Sequence, residues 1–185
     1  MRKIEAIFRK EDDYFIVETR LNDLDQFFNT FDPSPFHDKD IDDDAERYIV
    51  ESVRTFPIKT KMKLVFYLAK EHQLEASKIL PYAIENYFDF KATMVSRELS
   101  STLYEGRAAF LIGLIFLGTC IGLRTALNFL STSTLGSILL EGLSITGWVA
   151  MWRPIQILLY DWWSLYRRKR IYEKIRDMEI NINLD

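Results

Sequence analysis

The sequence predicts an α+β membrane protein, with a two-span helical hairpin inserted in a small cytoplasmic α/β domain. Three observations predict it. Two apolar runs, Ala108 to Leu130 and Leu135 to Tyr160, are each long enough to cross a bilayer, which takes roughly 20 residues as a helix. They are apolar all round rather than along one stripe. The chain ends in MEININL, where Met178, Ile180, Ile182 and Leu184 alternate with polar residues as in a strand. That strand has no neighbour in sequence to pair with, so it is expected to return to a sheet begun near the N-terminus. The organisation expected is an α/β domain from 1–73 with 178–185, a connecting helix over 74–106, the hairpin over 107–163, and a basic juxtamembrane helix over 164–177.

The chain opens on MRKIEAIFRKEDD, charged from its second residue and unlike a cleavable signal peptide. Arg2 to Arg9 and Tyr14 to Thr19 read as two strands of a hairpin, separated by the polar Glu11 to Asp13. Leu21 to Asn29 reads as a short helix packing Leu24, Phe27 and Phe28 inward. Pro33 and Pro35 then force a loop.

A helix follows to about Thr55, with Ala45, Tyr48, Ile49, Val53 and Phe56 at helical spacing and Pro57 ending it. Its start is acidic. Asp43 as N-cap with Glu46 three residues on reads as a capping box, and acids suit the positive helix end. The alternative is a weak divalent-cation site at Asp38, Asp40, Asp42 and Asp44. The spacing begins like an EF-hand loop but lacks its glycine and its bidentate glutamate, where Asp43 and Ile49 stand. No confident metal site is expected.

Lys61 to Lys70 reads as a central strand, apolar on one face through Met62, Leu64, Phe66 and Leu68, and partly apolar on the other. From Leu74 a helix is expected to run, with Pro81 starting or kinking it, into the first span.

Within the spans lie Arg124, Glu141 and Arg153. Charges at such depth are costly and are usually paired or functional. A turn centred between Thr132 and Ser133 sets Arg124 and Glu141 at equal distances from its centre, hence opposite each other. They read as a structural ion pair or as a charged ring at a pore mouth. Arg153 reads as snorkelling to the inner headgroups, pairing with Asp161, or facing a cavity. Pro154 removes a backbone hydrogen bond and is expected to act as a hinge in the second span. Gly113, Gly118, Gly122 and Gly147 mark close helix packing, within the hairpin or between copies. Gly118 and Gly122 form a GxxxG.

Arg167, Arg168, Lys169 and Arg170 follow the second span, and the connecting turn carries no Lys or Arg. The positive-inside rule then puts both termini in the cytoplasm and the spans in the cytoplasmic (inner) membrane. Trp162, Trp163 and Tyr166, with Tyr160 beside them, read as an interfacial aromatic belt. The basic cluster suits anionic lipid or simply sets orientation.

The net charge of −3 divides into −5 over residues 1–100 and +2 over 101–185, so neither part suggests nucleic acid. The single cysteine, Cys120, lies in a span and excludes an internal disulfide framework. His37 and His72 lack partners at ligand spacing. There is no GxSxG, Walker A, GxGxxG or HExxH motif. No cofactor is expected, and the chain is read as not an enzyme. The expected partners are the lipid bilayer, further copies of the chain, and another membrane or cytoplasmic protein. The function expected is a self-associating, membrane-anchored scaffold or assembly module. The alternatives are a small homo-oligomeric channel gated by the cytoplasmic domain, or an enzyme using the acidic loop.

Overall fold

A computed structural model describes residues 8–35, 39–69 and 73–184. It is mixed α/β, with a four-stranded sheet and two long apolar helices. The chain divides into two compact units, Met1–Val95 with Arg167–Asp185, and Ser96–Tyr166.

In the first unit, β1 (Lys10–Glu11) pairs antiparallel with β2 (Tyr14–Arg20) across a turn at Asp12 and Asp13. Asp12 has φ 52°, a left-handed conformation that aspartate tolerates better than most residues. The strand expected over 2–9 falls largely on residues 1–7, outside the described part. β2 pairs parallel with β3 (Met62–Leu68), which pairs parallel with β4 (Glu179–Leu184), giving the order β1-β2-β3-β4. The C-terminal strand therefore joins the sheet beside β3, with Leu64 opposite Ile180 and Phe66 opposite Ile182. Parallel neighbours need a crossover. Between β2 and β3 it includes α1 (Asp43–Arg54); between β3 and β4 it includes everything from Gln73 to Arg176.

Leu24, Phe27 and Phe28 are buried as expected, but Leu24–Phe27 is a single 3-10 turn rather than a helix. The loop folds back instead: Phe28 bridges Ile41, and Asn29 N–H donates to Asp40 C=O at 2.8 Å. α1 also starts differently. Asp42, not Asp43, is the N-cap, and its carboxylate accepts from the N–H groups of Asp44 and Ala45. Tyr48 lies outside the core, nearly half exposed, with its hydroxyl donating to Glu18 C=O. The core joins Leu64 and Phe66 of β3 to Ile49 of α1, and to Leu80, Ile84 and Ile175 from the long helices.

The first long helix, α2, runs Gln73–Ala126 without a break and holds Pro81 in its interior. Proline removes one hydrogen bond there, but the flanking burial of Leu80, Ala83 and Ile84 keeps the helix continuous.

The second unit is the hairpin. Its connection begins earlier than the expected turn: after Ala126 the chain tightens into a 3-10 segment, Asn128–Thr132, before α3 (Thr134–Ala150). Ser133 caps α3, its Oγ accepting from Gly136 N–H at 3.1 Å. The second run is not one helix. Met151 interrupts it, α4 (Trp152–Gln156) carries Pro154, a π-helical turn spans Ile157–Asp161, and α5 (Trp162–Arg176) follows. Proline lacks the N–H that would bond Ala150, which accounts for the break.

Candidate functional site

Both long helices are apolar and long enough to cross a membrane, with mean hydropathies of 1.9 and 1.3 over an 18-residue stretch of each. Only 22% of the most apolar stretch of each is buried. Ala108 to Ala126 alone spans roughly 28 Å at 1.5 Å per residue, close to the hydrocarbon thickness. Hydroxyls in the spans are satisfied locally: Thr119, Thr125, Ser144 and Thr146 each donate to the carbonyl four residues back. In lipid, where no water competes, that is how polar side chains on a helix are accommodated.

Glycines locate the contact between the two helices. A Cβ on Gly147 would lie 3.0 Å from Cys120 Cβ and Leu117 Cδ1. One on Gly113 would lie 3.0 Å from Met151 Sδ and 3.3 Å from the Ala150 carbonyl oxygen, the one released by Pro154. One on Gly106 would lie 2.6 Å from Ile157 Cγ2, at the start of the π turn. Each of these pairs is centred within residues 131–134, so the register matches the predicted turn. Gly118, Gly122 and Gly142 behave differently, with nothing within 4 Å of where a Cβ would stand. The GxxxG therefore takes no part in packing within this hairpin.

The charges within the two apolar helices divide the same way. Arg153 Nη1 and Asp161 Oδ2 pair at 3.2 Å across the π turn. Arg124 and Glu141 line one groove of about 840 Å³ with Asn128, Ser131, Ser137 and Ser144. They do not meet: among the described residues no ion pair joins them, and both are exposed. The expected pairing is therefore corrected. Equal distance from a turn fixes the level of two residues, whereas the angle around each helix decides whether their side chains touch.

After the second span, Arg170 Nη1 pairs with Glu173 at 2.9 Å and Lys169 with the same carboxylate at 3.7 Å, so part of the basic cluster is neutralised along its own helix. Arg167 and Arg168 are exposed. Trp162, Trp163 and Tyr166 form a ring cluster with centroids 5.5 to 6.5 Å apart, and the Trp162 indole donates to Leu158 C=O at 2.9 Å.

Of the acidic set, Asp38 lies outside the described residues, as do His37 and His72. Asp42 is occupied in capping, and Asp44 pairs with Arg47. Among the described residues no three of His, Cys, Asp and Glu gather as a metal-ligand set.

Sequence reasoning missed the role of Glu46. It does not close a capping box. Its carboxylate accepts from Tyr87 Oη at 2.6 Å, Lys91 Nζ at 3.0 Å and Tyr172 Oη at 3.4 Å. One residue of α1 thus ties α2, before the first span, to α5, after the second. Burial first, then the hydrogen bond to Glu46, pushes the Tyr87 phenol well above its usual range; burial likewise raises Tyr172. The signal was present in the spacing: Glu46, Ile49 and Val53 stand at i, i+3 and i+7, which puts a carboxylate on the buried stripe of α1.

Comparison of the chain with known protein families, curated proteins and solved structures returns no match.

Proposed function

We propose that this protein is a self-associating integral membrane protein, acting as a scaffold or assembly module whose α/β domain is held at the membrane by the hairpin. The observation that carries this reading is that Arg124 and Glu141 form no ion pair among the described residues. Opposite charges lining one groove of an apolar hairpin, without meeting each other, call for partners elsewhere. A second copy supplies them. Across a two-fold axis one surface meets itself, so Arg124 of one copy faces Glu141 of the other, twice. The open Gly118 and Gly122 support the same reading, because small residues let helices of different copies approach. The positive flank at Arg167 to Arg170 supports cytoplasmic termini.

The test is a charge swap read as particle mass in nanodiscs. Arg124→Glu and Glu141→Arg each weaken self-association at least tenfold, and the double swap restores it. A wild-type protein that is monomeric, or single swaps that leave the oligomer unchanged, would overturn the reading. The polar residues in the same groove, set among Ile121, Leu140 and Trp148, favour a second reading, a homo-oligomeric pore. Ion flux through proteoliposomes, abolished by Arg124→Glu, would select it over the scaffold.

A further inference from the structure

A cleft of about 660 Å³ opens in the α/β unit between the loop before β3 and the end of α5 with the start of β4. Five basic residues line it, Lys59, Lys61, Arg170, Lys174 and Arg176, against three acids, Glu173, Asp177 and Glu179. Every one of those acids is already engaged: Glu173 with Arg170 at 2.9 Å, Asp177 with Arg176 at 2.8 Å, and Glu179 with Lys63 at 2.9 Å. Lys61 has Asp13 at 3.1 Å. Two cations remain. Among the described residues, no carboxylate lies within 4.0 Å of Lys59 or Lys174. Lys174 is partly buried, and among the described residues its ammonium has only the Pro57 carbonyl, at 3.5 Å, the far limit of a hydrogen bond. Desolvation holds its pKa below the usual lysine range. An ammonium withdrawn from water without a counter-charge is an unfavourable arrangement. Lys61, Arg170 and Arg176 have avoided it by pairing, and Lys59 by standing exposed.

We infer that this cleft binds a phosphate-bearing anion of diphosphate size, held by Lys59 and Lys174 with the Thr60 hydroxyl beside them. A phosphate oxyanion offers several acceptors to point-charge donors such as lysine ammonium, and supplies the counter-charge that Lys174 lacks. The volume exceeds what a single phosphate needs. The same chemistry is offered by a soluble diphosphate and by an anionic lipid headgroup. This inference uses residues separate from the self-association surface, so either can fail without the other.

The experiment uses the full chain in phosphatidylcholine nanodiscs, titrated calorimetrically with inorganic pyrophosphate. Lys59→Gln and Lys174→Met are compared with Lys10→Gln, a lysine outside the cleft. Methionine keeps the apolar stem of Lys174, so the unliganded variant unfolds at the same temperature as wild type or higher. Lys59 is exposed, so its variant reports on binding whatever Lys174→Met does to folding. Wild type and Lys10→Gln bind pyrophosphate, and each cleft variant binds about tenfold more weakly. Repeating the titration in discs containing phosphatidic acid separates the sources: competition identifies the headgroup, and its absence identifies a soluble ligand. If neither pyrophosphate nor phosphatidic acid binds, or if both cleft variants bind as wild type does, the inference is wrong.

Discussion

Gly136 and Gly142 stand in the same helix, yet only one has no room for a side chain. A Cβ on Gly136 would overlap the Leu130 carbonyl oxygen, which is backbone and cannot swing aside; around Gly142 there is open space. Gly136→Ala is therefore expected to destabilise the hairpin by about 1–3 kcal/mol through forced backbone displacement. Gly142→Ala is expected to be neutral or slightly stabilising through helix propensity. Thermal unfolding in detergent compares them, and equal melting temperatures would show that the 128–132 connection has other ways to pack. The same scale explains what the sequence concealed. Arg124 and Glu141 could be set at one level from the turn, but their angles around α2 and α3 depend on the 3-10 segment, which tightens the end of the first run in a way that hydropathy does not encode.

Among the elements, α1 is joined to α2 and α5 by the Glu46 node. Removing the hydroxyl with Tyr87→Phe is expected to cost about 1.5–3 kcal/mol, the range for a hydrogen bond to a charged acceptor. The pH dependence has a definite sign. The fold favours the neutral phenol, so this contribution is complete below the unfolded-chain value of about 10 and is lost as pH rises above it. The gap in melting temperature between wild type and Tyr87→Phe should hold from neutral pH to about 9, then shrink at higher pH. Measuring the gap between two proteins cancels the lysines that titrate in the same region, including Lys61 and Lys63, raised by hydrogen bonds to Asp13 and Glu179. A gap that widens above that range would remove Tyr87 from the node. β3 and β4 were legible because alternation toward a buried face decides them, and the two apolar helices because their long apolar runs do. The short 3-10 turn at Leu24 and the π turn at Ile157 were not, since each depends on packing from distant segments.

For the molecule as a whole, the topology assigns the hairpin a specific place: it is carried inside the crossover that joins β3 to β4. Both strands flanking that crossover pair parallel within one mixed sheet, so the chain leaves for the hairpin from the sheet and returns to it. The alternation in MEININL made this return predictable, because a strand without a sequence neighbour must find a distant one. The central claim of the proposed function is that the hairpin crosses a membrane and that both chain ends stay on its cytoplasmic side. Sided thiol labelling tests this most directly. In a Cys120→Ala background, Ser133→Cys and Ser34→Cys are treated with an impermeant maleimide on intact cells. The account predicts that Cys at 133 is labelled from outside, that Cys at 34 is labelled only after permeabilisation, and that the protein stays with the membrane through alkaline washing. Equal labelling of both positions from one side, or release by alkali, would contradict it.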